Sequence, residues 1–386
     1  MAAARSIPAN WDIFCRVVDN FGDAGVCWRL ARILHREHGL HVRLWIDDLK
    51  TLRALQPALN PVLPVQVVEG ITVCRLPDAL PVTDDAAVVI EAFGCGLPDA
   101  YVAGMAARAR PPLWIVLEYL SAEPWVDSHH GLSSPHPQLA LPRYFFFPGF
   151  TPATGGLLRE ADLLARRDGF DAGARQTFWR ELGFADPEPG VLTVSLFAYA
   201  GAPIYELLET MARGSAPVVA AVPGGAVLAA VRSFFGAGDD AAAGSWRQGA
   251  LEVRLLPFLP QVRYDELLWA CDLNFVRGED SFVRAQWAAR PLVWQPYRQE
   301  ADAHRAKLEA FLARYCAGLA PGAADALGTF WQCWNDGSTE GCGIAWPALR
   351  AAVPDLGDHA RVWAGRLAAA GEMTAQLVEF VGNRVE

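Results

Sequence analysis

A chain of 386 residues exceeds what one hydrophobic core usually supports, and this length predicts two domains of roughly 150–200 residues each. Hydrophobic residues make up 52% of the chain and charged residues 20%, which excludes an intrinsically disordered protein. The net charge of −10 comes without a basic stripe or tail, and this excludes a nucleic-acid binder that works by neutralising phosphates.

The cysteines and histidines offer no pattern typical of a metal site. None of the eight cysteines forms a CxxC pair, and no cysteine–histidine set has zinc-ligand spacing. His129, His130 and His136 lack a glutamate partner at helical spacing, so we interpret them as loop residues. We therefore expect no metal, and the scattered thiols indicate a reducing compartment.

The N-terminus and the longest apolar stretch bear on localisation. The first residues lack the apolar core of a signal peptide. The apolar stretch 216–237 is interrupted by Pro223 and Gly224 and contains Arg232, so it predicts a strand, a turn and a helix instead of a membrane span. We expect a cytoplasmic protein that does not contact the membrane.

The first half of the chain alternates between strand and helix patterns. Residues 12–18 predict a strand, residues 26–38 a helix that ends at Gly39, and residues 41–46 the next strand. This order predicts a parallel βαβ unit. Further strands are predicted at 87–90 and 113–117.

A segment rich in proline and glycine, residues 133–156, ends this half. A polar helical stretch over 157–182 follows, and residues 186–190 have the composition of a linker. We place the domain boundary between about Gly155 and Gly190.

The second half repeats the alternation and predicts a second open α/β unit. Strands are predicted at 191–198, 216–222, 251–257, 273–276 and 291–295, and helices at 203–213, 226–235, 264–270 and 281–289. The region beyond about residue 301 is predicted to be mostly helical. We expect one Rossmann-like domain over 1–160, a second over 185–355, and a C-terminal helix at about 360–386 that packs back on the first.

This α/β architecture has a consequence for ligand binding. Ligands bind outside the carboxyl ends of parallel strands. Two such edges facing each other would make a cleft for two large substrates, one held by each domain.

The turn after the first strand, from Asp19 to Gly25, is the first candidate site. Its two carboxylates, Asp19 and Asp23, suit a cation or a proton transfer. A dinucleotide site is disfavoured, because the G-x-G-x-x-G fingerprint is incomplete and the carboxylates would repel a pyrophosphate. The alternative is a helix cap and a turn aspartate without a catalytic role.

The segment from Arg277 to Ser281 is the second candidate site, where a strand ends and a helix begins. The unpaired N–H groups of the helix N-terminus, together with the charge of Arg277, suit a diphosphate. Glu279 and Asp280 can offer their N–H groups to the anion while their side chains point to sugar hydroxyls. The alternative is a capping box beside a surface arginine.

Aromatic residues lie at or just after the C-terminal ends of two predicted strands, which we call strand exits. The ring of Phe258 and the amide of Gln261 can stack on and pair with a nucleobase. Phe197 and Tyr199 occupy a similar exit. The alternative in both cases is that the rings fill the core.

Longer motifs resemble a known family. The order strand, F-L-P-Q, helix, strand, R-G-E-D-S, helix and P-x-V-W-Q is similar to the nucleotide-sugar half of GT-B glycosyltransferases. More narrowly, V-V-D-N-F-G-D-x-G-V-x-W-R-L-A-R at 17–32, E-Y-L-S-A-E at 118–123 and R-G-E-D-S-F-V-R-A-Q at 277–286 resemble the elongation factor P arginine rhamnosyltransferases. The similarity covers nearly the whole chain.

The resemblance implies a GT-B fold, with two Rossmann-like domains facing across a cleft. It implies transfer of L-rhamnose from dTDP-β-L-rhamnose to one arginine of elongation factor P, with inversion and without metal or another cofactor. Asp23 would be the general base, Asp19 would support it, and Glu279 would be required beside the donor. Donor-binding roles are implied for Phe197, Tyr199, Phe258, Gln261, Arg277, Asp280 and Ser281. Acceptor-side roles are implied for Asn20, Glu118 and Tyr119.

Arginine chemistry agrees with this assignment. The guanidinium stays protonated in proteins, with a pKa above about 12. Its base must therefore orient the group and take the proton as the C–N bond forms. Two other functions remain open: a nicotinamide- or flavin-dependent oxidoreductase, and a non-catalytic GT-B-like module that binds a translation factor.

Overall fold

The computed structural model describes residues 7–76, 85–237, 244–298 and 303–385. The chain divides into two compact units. One comprises the described parts of Met1–Ala161 and Leu367–Glu386, and the other those of Asp162–Arg366. The division after Ala161 lies inside the interval from Gly155 to Gly190 that the composition suggests.

The first unit is built around one sheet. Its described strands are β1 Asn10–Cys15, β2 His41–Ile46, β3 Val65–Val68, β4 Ile71–Arg75, β5 Val88–Ala92, β6 Leu113–Leu117, β7 Ser133–Pro135 and β8 Pro142–Phe146. They lie in the order β3-β4-β2-β1-β5-β6-β8-β7. Strand β1 is parallel to both β2 and β5, so the sheet order reverses at β1. This switch point is where open α/β sheets bind ligands.

Helices cover this sheet. They are α1 Phe21–His38, α2 Leu49–Leu55, α3 Asp99–Ala106, α4 Val126–His129 and, at the end of the chain, α14 Met373–Gly382. Helix α14 belongs to the first unit: Leu157 bridges Glu372 just before it, and the ring of Phe380 lies 5.7 Å from that of Phe146.

The core of the first unit holds β1 in place. Phe14 is fully buried, with its ring 4.9 Å from that of Tyr101. The hydroxyl of Tyr101 donates to Asp12 at 2.9 Å, and Asp12 also pairs with Arg43 at 2.6 Å. Strand β1, which precedes the acidic turn, is thus held by the packing of Phe14 and by the hydrogen-bonded and ion-paired carboxylate of Asp12.

The second unit contains another parallel-rich sheet. Its described strands are β9 Leu192–Leu196, β10 Val218–Pro223, β11 Ser245–Gln248, β12 Leu251–Leu256, β13 Leu273–Arg277 and β14 Leu292–Gln295. They lie in the order β11-β12-β10-β9-β13-β14, with β11 antiparallel to β12. Its helices are α5 Leu163–Asp168, α6 Ala172–Glu181, α7 Ile204–Arg213, α8 Leu228–Phe234, α9 Gln261–Ala270, α10 Asp280–Ala288, α11 Ala303–Cys316, α12 Pro321–Asp336 and all but the last four residues of α13 Thr339–Ala370.

Several element predictions need correction. Helix α1 begins at Phe21 and not at Val26, so Asp23 lies inside its first turn; the glycines at 22 and 25 had indicated a turn there. The helical stretch 157–182 is two helices, α5 and α6, separated at Gly169. The segment 133–156, rich in proline and glycine, contains the unpredicted strands β7 and β8, and the pairing of β8 with β6 outweighs its proline-rich flanks. Strands β3, β4 and β11 had not been predicted.

Among the described residues, no helix combines the length and the apolarity that crossing a bilayer requires.

Candidate functional site

The acidic turn joins β1 to α1 and brings Asp19 and Asp23 together. Oδ2 of Asp23 accepts hydrogen bonds from the backbone N–H groups of Val18 and Asp19, both at 2.8 Å. The side chain of Tyr119, at the exit of β6, also hydrogen-bonds the Asp23 carboxyl. Asp23 is 1% exposed, so its carboxylate is held from several sides in one orientation.

Burial has the largest effect on the pKa of Asp23. Desolvation raises its pKa above the ordinary aspartate value, and the nearby charge of Asp47 raises it further. The hydrogen bonds from Asp19, Val18 and Tyr119 lower the pKa but do not cancel the effect of burial. Asp23 is therefore a stronger base than an exposed aspartate, which suits a group that takes up a proton.

Gly22 leaves room for the side chain of Asp19, which folds over the turn. A Cβ at residue 22 would lie 2.5 Å from Oδ2 of Asp19, closer than real Cβ contacts allow. The amide of Gly22 also donates to the carbonyl of Asp19 at 2.7 Å. Asn20, the exposed residue between them, adopts a positive φ of 35°. Such strain outside glycine is typical of functional turns.

The exits of β5 and β6 lie beside this turn. The ring of Tyr119 stacks on that of Phe93, with centroids 4.4 Å apart. Phe93 has a φ of 59°, unusual for a bulky residue. Glu118, the residue before Tyr119, is another acceptor-side candidate and is half-buried. Its amide donates a hydrogen bond to the carbonyl of Phe146 at 3.0 Å. Sequence reasoning missed Phe93, whose only signal was its place before Gly94 at a strand exit.

In the second unit, Arg277 lies between two aromatic rings. Its guanidinium carbon is 4.6 Å from the ring centroid of Phe197 and 4.5 Å from that of Tyr199. These cation–π contacts fix the guanidinium at the carboxyl end of β13. The neighbouring Gln295, also missed, accepts a hydrogen bond from the amide of Tyr199 at 2.8 Å. The proposed donor residues of β9 and β13 thus meet at one edge of the sheet.

A buried polar network holds Gln261 and Asp280. Oδ2 of Asp280 accepts from Nε2 of Gln261 and from Nε of Arg284, both at 3.0 Å. Arg284 also donates to Asp265 at 2.9 Å. The carboxylate of Asp280 therefore holds the amide of Gln261 in one orientation. The sequence did not suggest this positioning role.

Ser281 and Glu279 form the start of α10. The hydroxyl of Ser281 donates to the carbonyl of Arg277 and accepts from the amide of Arg277 at 3.1 Å. Between them Gly278 has a φ of 61°. The side chain of Ser281 thus closes the strand-to-helix turn, and the half-buried Glu279 lies directly before the helix.

Phe258 is exposed at a strand exit. It is 37% exposed, so the alternative that its ring fills the core is wrong. Gly224 packs next to it: a Cβ added at Gly224 would lie in ordinary contact with the amide of Phe258, at 3.5 Å. The ring is accessible for stacking.

Within the described ranges, no group of three or more histidine, cysteine, aspartate or glutamate side chains is arranged to hold a metal ion.

Comparison with known proteins decides the family. The family model for the Elongation-Factor P (EF-P) rhamnosyltransferase EarP matches residues 11–382. The chain belongs to this family. It is 50% identical over 378 residues to a protein-arginine rhamnosyltransferase of Pseudomonas putida, with 97% of this chain and 99% of the relative covered. A protein of the same name from Pseudomonas aeruginosa is 47% identical, with the same coverage.

Solved structures support the fold. A structure from work on the structural basis for EarP-mediated arginine glycosylation of translation elongation factor EF-P is 39% identical, with a TM-score of 0.69. The match covers 98% of this chain and 100% of that one. MurG of Acinetobacter baumannii is 12% identical over 97% of this chain and 99% of its own, with a TM-score of 0.51, and it shows the fold alone.

These findings confirm the predicted family and the GT-B class of α/β fold. The enzyme is a glycosyltransferase, a protein-arginine rhamnosyltransferase. The glycosyltransferase hypothesis is thereby favoured over the oxidoreductase and the non-catalytic module.

Proposed function

We propose that the enzyme transfers L-rhamnose from dTDP-β-L-rhamnose to an arginine side chain of elongation factor P, with inversion at the anomeric carbon. The acceptor follows from membership of the EF-P rhamnosyltransferase family. The donor and the stereochemistry follow from the resemblance of the motifs. The observation that carries the proposal is Asp23, a buried carboxylate with a raised pKa at the switch point of a parallel sheet.

On the acceptor side, Asp19 and Asp23 hold the guanidinium of the substrate arginine. A planar cation with several N–H donors pairs well with carboxylates. Asp23 accepts the proton as the guanidinium nitrogen attacks, because removing it beforehand is too costly at a pKa above about 12. Tyr119 keeps the Asp23 carboxyl in position, and Asn20 and Glu118 contact the acceptor.

On the donor side, Arg277 and the N-terminus of α10 stabilise the leaving diphosphate. The aromatic rings around Arg277 fix its charge before the reaction begins, so little reorganisation is needed. The N–H groups at the start of α10, around Asp280 and Ser281, add donors toward the anion. Glu279 lies beside this anion site and faces the sugar.

The base of the donor stacks on Phe258, with Gln261 close to it, while Phe197 and Tyr199 line the pocket. Positive charge for the departing group comes from Arg277 and the helix N-terminus, so we propose that no divalent metal or other cofactor takes part. Attack and departure on opposite faces of the sugar give inversion without a covalent enzyme intermediate.

The experiment that tests this function is intact-mass measurement of elongation factor P after incubation with the enzyme, dTDP-β-L-rhamnose and EDTA. We expect a gain of one deoxyhexose, and none when the acceptor arginine is replaced by lysine. NMR of the product should show the α anomer. No gain with the wild-type pair, or a β-linked product, would contradict the proposal or its stereochemistry respectively.

A further inference from the structure

A cavity of about 610 Å³ opens on the second unit, away from the donor residues. Its lining includes Leu192, Asp272 and Pro291, which lie at the amino ends of β9, β13 and β14. Arg277 ends β13 at the opposite edge of the same sheet. The cavity is therefore separate from the donor site, and residues 350–361 of α13 form one of its walls.

Four arginines line this cavity, and two of them are paired with carboxylates. Arg175 lies 3.4 Å from Asp186, and Arg361 pairs with Asp358. These two arginines are partly compensated, so they add little net positive charge to the cavity.

The other two arginines, Arg290 and Arg350, have no carboxylate partner in the part of the chain that the structure describes. Arg350 donates only to the backbone carbonyls of Ala216 at 2.9 Å and Pro217 at 3.1 Å. Burial lowers its pKa, as expected where no anion offsets the loss of water. Arg290 is half-buried, and its side chain makes no hydrogen bond or ion pair with a described residue.

The acidic residues that line the cavity form no ion pair with Arg290 or Arg350 among the described residues. Oδ2 of Asp272 accepts from the amide and the hydroxyl of Thr193 at 2.8 and 2.7 Å. Glu188 is exposed to solvent at the rim. Two guanidinium groups that line one cavity without a described ion-pair partner can each pair with an anionic ligand.

We propose that this cavity binds a phosphate monoester. A guanidinium pairs bidentately with phosphate oxygens, and at neutral pH the monoester brings nearly two negative charges, enough for both Arg290 and Arg350. The cavity is larger than phosphate alone needs and lies within the usual range of small-molecule sites, roughly 300–1,000 Å³. Val191, Leu192 and Val353 offer an apolar wall for the organic part of the ligand.

The test is calorimetric titration of the full-length enzyme with phenyl phosphate at constant ionic strength. We expect wild type to bind, and Arg290→Gln to bind at least about tenfold more weakly, the effect of one lost charge-assisted pair. Arg290→Gln should fold normally, because Arg290 has no described partner to lose; thermal unfolding checks this.

Two variants serve as controls. Arg277→Ala, which disables the donor site, should keep the phenyl phosphate affinity of the wild type. Arg213→Gln removes an exposed charge on α7 of the same unit and should also leave the affinity unchanged. The proposal is overturned if wild type does not bind, if Arg290→Gln binds equally well, if Arg277→Ala loses binding, or if Arg213→Gln weakens it as much as Arg290→Gln.

Discussion

The amide of Asp19 donates a 2.8 Å hydrogen bond to Oδ2 of Asp23, so the carboxylate of Asp23 is tied to the backbone of the acidic turn at Asp19. The same oxygen also accepts from the amide of Val18. Two N–H donors on one oxygen keep the buried carboxylate oriented, and this is the geometry that a base acting on a guanidinium needs.

The first prediction concerns the stability of an Asp23→Asn variant. The pKa of Asp23 is raised in the folded state, so folding favours its protonated form. The stabilisation from protonation is present below the ordinary aspartate pKa and is lost as the pH rises through the raised value. At neutral pH the ionised carboxylate therefore lowers the stability of the folded state.

Asp23→Asn, whose amide oxygen still accepts from both backbone N–H groups, should unfold at the same temperature as wild type or at a higher one. A markedly lower midpoint in thermal unfolding would contradict this account of the turn.

The second prediction concerns pH and Tyr119. If Asp23 is the proposed base, its ionised form is the active one, and kcat/KM should fall as the pH drops through its pKa. The hydrogen bond from Tyr119 lowers that pKa, and Tyr119→Phe should therefore move the acid limb of the profile to higher pH. Tyr205→Phe, an exposed tyrosine on α7, serves as the control and should leave the limb in place. If Tyr119→Phe leaves the acid limb of the profile where it is in the wild type, Tyr119 does not influence the pKa of the active group.

The third prediction concerns Gly22. An added Cβ would press on Oδ2 of Asp19 at 2.5 Å, so Gly22→Ala should displace that carboxylate and lower kcat/KM by about 10²-fold. The matched control is Gly365→Ala in α13, where a Cβ meets nothing within 4 Å. That variant should stay active and gain about 0.5–1 kcal/mol of stability in denaturant unfolding. Wild-type kinetics in Gly22→Ala would show that Asp19 can move without consequence.

The fourth prediction concerns Phe258. If its exposed ring stacks on the donor base, Phe258→Ala should weaken dTDP binding by about 1–3 kcal/mol in calorimetry. Val262→Ala, a similarly exposed apolar residue at the start of α9, should leave the affinity unchanged. Equal dTDP affinities in the two variants would show that Phe258 does not stack on the nucleobase of the donor.

Much of the fold follows from local sequence patterns. Strands β2 and β6 match their predicted bounds, because short apolar runs such as those of His41–Ile46 and Leu113–Leu117 have few alternatives in an α/β chain. Strand β8 was missed because its pairing with β6 is a tertiary effect that its own proline-rich surroundings oppose.

For the candidate site, the sequence suggested individual residues but not the contacts between them. Arg277 was identified from the end of a strand, but its position between Phe197 and Tyr199 depends on β13 lying beside β9, which sequence spacing does not encode. In the same way, the contact of Tyr119 with Asp23 depends on the sheet order β1-β5-β6. Contacts between distant segments are set by the topology.

The most direct test of the central claim is a single-turnover reaction on elongation factor P, with the modified residue located by peptide mass spectrometry. Wild type should place one deoxyhexose on an arginine side chain. Asp23→Asn should bind dTDP with unchanged affinity but react about 10²–10⁴-fold more slowly. A near-normal rate in Asp23→Asn, or a sugar found on any residue other than arginine, would contradict the account.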